Sequence, residues 1–179
     1  MIYTECFILC GIVLKISLKP VQPSQRYVID NLFRYYVYEM SGFLKLSPNS
    51  DGQYSFNPAI LDPYWEESKN FHIPYFIYAE QDIAGFALVR RYPQQSELWD
   101  MGQFFVLRKY ASQGIGHKAF KQVCIEHPGY WQIRVLKENH KALCFWKSAV
   151  QQFSGGVFTH TQELDIDLEM HFLRFEFKT

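Results

Sequence analysis

The chain has 179 residues, 48% of them apolar and 20% charged, which is enough for one domain that buries its core without covalent staples. Its 18 basic and 18 acidic side chains cancel and form no basic block, which argues against nucleic acid or an anionic membrane surface as partner. Four scattered cysteines (Cys6, Cys10, Cys124, Cys144) and six histidines give neither a disulfide framework nor metal-ligand spacing, so a cytoplasmic, metal-free protein is expected. Aromatic residues at 18% are compatible both with a ring-built core and with an aromatic-lined pocket, and composition does not choose between them.

The apolar stretch Cys6 to Leu14 is too short to span a bilayer, and it lacks the basic start and cleavage site of a secretory signal. Residues 1–11 are read as an N-terminal extension or as residues from an upstream start, and residues 12–179 as a single domain. Ile12, Leu14, Ile16 and Leu18 alternate as a strand, ended by Pro20 and Pro23, and Ser24 stands where a helix N-cap belongs. Val28, Leu32, Tyr35 or Tyr36 and Met40 follow helical spacing up to Ser41-Gly42. Residues 47–63 carry three prolines and read as a loop, and Tyr64 to Asn70 as a short helix. Three strands follow, at Ile73–Glu80, Ile83–Arg91 and Glu97–Leu107. Ile115, Ala119 and Val123 then mark one face of a helix stopped by Pro128-Gly129. Trp131, Ile133 and Val135 alternate in a strand, and Asn139 is placed to cap a helix through Ala142, Phe145, Trp146 and Ala149. Val157–Glu163 and Met170–Phe177 complete a mixed sheet with helices on its faces, an α/β chain of the α+β type.

Between the third strand and the second long helix lies Ala111-Ser112-Gln113-Gly114-Ile115-Gly116. A helix start leaves amides unpaired at the positive end of its dipole, and two glycines remove side chains that would hold a phosphate away. A pyrophosphate suits such a loop, although a tight turn with no ligand produces the same residues. No Lys-Ser/Thr follows the glycines as in a Walker loop, and a dinucleotide-binding fingerprint lacks its third glycine here.

The run Phe104-Phe105-Val106-Leu107-Arg108-Lys109-Tyr110-Ala111-Ser112-Gln113-Gly114-Ile115-Gly116 resembles the acetyl-CoA motif of GNAT-type N-acetyltransferases. Asn139-His140-Lys141-Ala142 with Phe145-Trp146 is similar to that family's downstream Asn-x-x-Ala…Phe-Tyr helix. Residues 31–38 and 84–89 also look like an uncharacterised bacterial subgroup of it. The resemblance implies a mostly antiparallel sheet of about seven strands flanked by about four helices. It implies acetyl-CoA as co-substrate and a primary amine of a small molecule or protein as acceptor, in a monomer or homodimer. The alternative is a CoA-binding or interaction module with little turnover; a longer acyl donor is a further variant.

Residue by residue, the resemblance implies that Phe104, Phe105 and Val106 offer main-chain groups to the pantetheine arm. A main-chain amide near Phe105 or Val106 would meet charge on the thioester oxygen. Ala111, Ser112, Gln113, Gly114, Ile115 and Gly116 would hold the pyrophosphate, and Asn139 and Phe145 would line the cofactor groove. Two departures stand out. Ala111 replaces the family's Arg or Gln, leaving Arg108, Lys109, His117 or Lys118 to supply charge. Trp146 replaces a tyrosine proposed as general acid, and indole cannot release a proton to a thiolate.

Asp100 falls on the strand that carries the catalytic glutamate of related histone acetyltransferases, and simple alternation sets it on one face with Phe104 and Val106. It is the expected general base, with Glu97, Glu80 and Tyr110 behind it. Tyr35, Tyr38 and Tyr64, beside Tyr54 and Trp65, are expected to enclose the acceptor amine.

Overall fold

A computed structural model describes residues 14–66 and 71–178. The expected extension 1–11, with Cys6 and Cys10, and the second half of the expected helix Tyr64–Asn70 lie outside the described residues.

The first strand, β1 (Ile16–Pro20), runs to the proline, and Ile12 of the expected alternation lies outside the described residues. Ser24 does not cap the next helix. A 3-10 turn, Pro23–Gln25, precedes it, with the Gln22 N–H donating to Gln25 Oε1 at 3.2 Å. Helix α1 (Arg26–Leu44) then buries Ile29, Phe33 and Val37, spaced four apart. It passes through Ser41-Gly42 and stops at Lys45, whose left-handed backbone (φ 53°) sends its N–H back to the Ser41 carbonyl. Among the described residues the loop that follows holds two 3-10 turns, Pro58–Ile60 and Asp62–Tyr64. Their prolines sit in the first turn, where no helical hydrogen bond is lost, and these short turns accompany three longer α-helices among the described residues.

Strands β2 (His72–Ala79), β3 (Asp82–Tyr92) and β4 (Gln95–Val106) form an antiparallel meander with β1. Helix α2 (Ile115–Glu126) leads to β5 (Gly129–Leu136), and α3 (His140–Phe153) to the hairpin β6 (Phe158–Asp165) and β7 (Leu168–Phe177). The seven-stranded sheet has the order β1-β2-β3-β4-β5-β7-β6, and its one parallel pairing joins β4 to β5. Asn139 caps α3 as expected, its side chain accepting the Ala142 N–H at 3.0 Å.

The sheet is covered on both faces. On one, Ile29, Phe33 and Val37 of α1 pack on Phe76, Phe86, Leu88 and Phe105. On the other, Phe120 and Val123 of α2 and Trp146, Ala149 and Val150 of α3 pack on Trp99, Met101, Trp131 and Ile133. Among the described residues no helix is long and apolar enough to cross a membrane, and no group of three or more His, Cys, Asp or Glu is placed to hold a metal.

Candidate active site

A parallel pair has no hairpin to hold its register, and β4 and β5 stay together for two rungs only, Trp99↔Trp131 and Asp100↔Gln132. Beyond Asp100 the strands part, and a cavity of about 450 Å³ opens between them. Gly102, Gln103 and Phe104 of β4 line one wall, Arg134 and Leu136 of β5 the other. Asn139, the cap of α3, and Trp146 within it also face it, and Val37 and Met40 of α1 cover it from across the sheet.

At the near end of the opening lies the glycine loop. Gly114 occupies the N-cap of α2 in a left-handed conformation (φ 75°), and nothing stands within 4 Å of where its side chain would be. The first helical bond runs from the Lys118 N–H to the Gly114 carbonyl, so the amides of Ile115, Gly116 and His117 have no partner inside the helix. A side chain on Gly116 would meet the Phe145 ring at 3.0 Å and Phe104 at 3.7 Å. Phe104 and Phe145 are stacked at 6.2 Å, so one aromatic wall runs from the cavity to the loop.

The far side holds a charged cluster. Asp100 is fully buried; its Oδ1 accepts from Arg134 Nε at 3.0 Å and its Oδ2 from Arg134 NH2 and Arg90 Nε, both at 2.8 Å. Arg134 also donates to Asp165 Oδ2 at 2.5 Å. Burial works against the charge on Arg134, but Asp100 and Asp165 more than offset it, and its pKa is raised.

The family model described as Acetyltransferase (GNAT) family matches residues 37–149. The chain belongs to the GNAT acetyltransferases. It is an acetyl-CoA-dependent N-acetyltransferase whose acceptor is unidentified. Solved structures share the fold of this acetyltransferase at low identity. An acetyltransferase from Thermus thermophilus is 15% identical, with a TM-score of 0.66 over 92% of this chain and 98% of its own. Diaminobutyrate acetyltransferase from Paenibacillus lautus, solved with its substrate L-2,4-diaminobutyric acid and coenzyme A, is 13% identical (TM-score 0.62; 93% and 98% covered). Spermidine N-acetyltransferase from Vibrio cholerae, solved with CoA and spermine, is also 13% identical (TM-score 0.60; 90% and 95% covered). No curated protein matches the chain by sequence.

In this acetyltransferase Asp100 does not share a face with Phe104 and Val106. Leu88 pairs with Gln103 but Val89 with Met101, so Gly102 is an extra residue without a cross-strand partner. Such a bulge reverses the alternation. Trp99 and Met101 face α3 before it and Phe104 after it, while Asp100 and Phe105 fall on the α1 side. Both oxygens of Asp100 are thus held by guanidinium groups, and it is absent from the cavity wall. The other carboxylates and Tyr110 lie elsewhere: Glu80 accepts the Lys15 N–H, Tyr110 donates to Asp82, and Glu97 is exposed on β4.

Of the expected cofactor residues, Phe104 and Asn139 line the cavity, and Phe145 and Gly116 adjoin it. The Phe105 side chain points into the α1-side core, 5.7 Å from the Phe86 ring, and Val106 packs near Ile77 and Ile115. Ala111, Ser112 and Gln113 are exposed in the loop, where Gln113 donates to the Lys109 carbonyl. Arg108 is bound to Glu39 and Lys109 to Asp82, leaving His117 and Lys118 as the basic groups of the first helical turn.

The three expected acceptor tyrosines do not gather at the cavity. Tyr35 and Tyr38 are 60% and 54% exposed, and Tyr38 meets Tyr54 edge-on at 5.4 Å. Tyr64 lies instead by the charged cluster, its hydroxyl 2.6 Å from where a Gly102 side chain would begin. Tyr36, one of the two tyrosines that fit the helical spacing, lines the cavity in place of Tyr35. Burial pushes its phenol up to about 12 and raises that of Tyr64 further. Arg134, Tyr36 and Gly102 were missed. Gly102 left a signal as a lone glycine inside a strand, and Tyr36 left one in its helical spacing.

Proposed function

We propose that the opening between β4 and β5 receives the pantetheine arm of acetyl-CoA and that the loop Ala111–Gly116 receives its pyrophosphate. Support comes from one juxtaposition: a parallel pair that separates after two rungs, with unpaired helix-start amides at the mouth of the gap. The residues fit the ligand. Gly114 leaves open space over the amides, and the Phe104–Phe145 wall suits an apolar chain. The cofactor supplies an acetyl group as a thioester.

The chain's own residues do the rest. Main-chain groups of β4 beyond Asp100 have no β5 partner and face the gap. Asn139 turns its oxygen to its helix cap, and Trp146 serves as a wall, buried against Phe104 and Phe120. No side chain is assigned as general acid, since a thiol of pKa roughly 8.5 is a tolerable leaving group without one. Asp100 acts as an anchor: it ties Arg90 of β3 and Arg134 of β5 across the sheet where the strands begin to part. The acceptor is a primary amine of a small molecule or protein, and the enzyme works in the cytoplasm as monomer or homodimer.

Calorimetric titration of CoA, with a thiol-release assay over an amine panel, tests the assignment. Gly114→Glu should abolish CoA binding, because it sets bulk and negative charge among the amides. Unchanged affinity in a folded variant refutes the loop assignment.

A further inference from the structure

A hydroxyl stands over the point where the strands part. The last β4–β5 rung is Asp100↔Gln132; two residues beyond it lie Gly102 on one strand and Arg134 on the other, and both line the cavity. Tyr36 of α1 lines it with them. Its ring is partly buried and wedged in place. Phe33, one turn earlier on α1, lies at 5.2 Å, and Phe86 of β3 and Phe105 of β4 meet it edge-on at 6.2 and 6.1 Å. The Arg134 guanidinium, on the far strand, is close enough for its charge to act on the phenol. A ring seated on β3 and β4 whose hydroxyl feels β5 sets that hydroxyl over the gap between β4 and β5.

The hydroxyl is free to act. Among the described residues it makes no hydrogen bond, and it is not sealed off from the cavity. The other polar groups of the wall are engaged or unsuited. Arg134 is held by Asp100 and Asp165, and the Asn139 oxygen by its helix cap. Gln103 carries an amide, which does not titrate, and Trp146 an indole, which only donates a hydrogen bond. Ser55, the other hydroxyl of the described wall, is exposed in the loop after α1. A phenol, by contrast, donates and accepts at one oxygen.

We infer that the Tyr36 hydroxyl relays a proton between the two ends of the transfer, accepting from the acceptor nitrogen and donating to the departing sulfur. The inference rests on the assignment of acetyl-CoA to the same opening. In the transfer, the nitrogen lone pair forms a bond to the acetyl carbon, the carbon–sulfur bond breaks, and the sulfur leaves with its electron pair. The phenol hands its proton to the sulfur while its oxygen takes one from the now positive nitrogen. It is neutral before and after, and no proton is consumed. Burial, which keeps the phenol protonated, suits that role. Ile29, Phe33 and Val37 fix the same helix in the core, so the hydroxyl is held in place before the substrates arrive.

Tyr36→Phe keeps the ring and removes a hydroxyl that has no partner to strand. Its Tm should stay within about 2 °C of the parent, and its CoA affinity by calorimetry within about threefold. Turnover of acetyl-CoA with phenethylamine, putrescine or alaninamide should fall about a hundredfold, in kcat and kcat/KM alike. A fall of less than about tenfold overturns the relay, and so does a variant that loses CoA affinity as far as it loses turnover. A second readout needs no turnover. With tyrosine isotopically labelled at the ring carbon that bears the hydroxyl, the Tyr36 magnetic-resonance signal is the one missing from Tyr36→Phe. It should differ between the complexes with CoA and with desulfo-CoA, which lacks the sulfur. One position for both overturns the inference; if none of the three amines is accepted, two positions uphold it and one overturns it. Failure of the folded parent enzyme to bind CoA would instead overturn the acetyl-CoA assignment itself.

Discussion

Replacing Asp100 by asparagine separates an anchor from a base. The side chain keeps its shape but loses its charge at a fully buried position that takes three hydrogen bonds from two guanidinium groups. Removing one partner from a buried ion pair costs about 3–5 kcal/mol, because the remaining charge stays desolvated. Here the Arg90 and Arg134 side chains keep 26% and 15% exposure and Arg134 retains Asp165, so the lower end, about 3 kcal/mol, applies. For a chain of this size that lowers Tm by about 6–12 °C, at roughly 2–4 °C per kcal/mol. Urea unfolding and a thermal scan without CoA measure it, alongside a pH profile of kcat/KM. An anchor predicts a large loss of stability and an unchanged shape of the pH profile. A base predicts a 10²–10⁴-fold loss of turnover with stability nearly intact. A variant that melts within about 2 °C of the parent and loses turnover most steeply near neutral pH refutes the anchor.

Gly102→Ala sets a methyl 2.6 Å from the Tyr64 hydroxyl and 3.1 Å from the Leu88 carbonyl, and should cost about 1–3 kcal/mol in urea unfolding; a neutral effect would show that the bulge is slack. Trp146→Tyr should change kcat by less than about tenfold while loosening the wall against Phe104 and Phe120; a hundredfold gain would show that a general acid limits the reaction. Glu163 is held at about 2 by Arg174 and Thr161, so the stability it adds is present above the ordinary glutamate value and fades as pH falls toward 2. Glu163→Gln should therefore lower Tm at pH 7 and match the parent near pH 2; an equal deficit at both would remove the ion pair as its cause.

The sequence by itself determined the order of the strands and the long helices, the helix-start loop and the cap at Asn139, because each depends on residues close together in the chain. Two glycines at a helix start, or an asparagine three residues before the amide it accepts, need no distant partner to have meaning. The same holds for strand alternation as far as Asp100, and there it stopped. One extra residue at Gly102 reversed the faces and took Asp100 from Phe104 to Arg90 and Arg134. Only the tertiary structure decided that β4 and β5 part after two rungs, since their separation depends on packing between segments with a helix between them. It also chose Tyr36 over Tyr35 as the wall, one residue and about 100° of helix away, because helical periodicity fixes a face only to within a neighbour. The loop was legible in the chain; the cavity it serves was made by the fold.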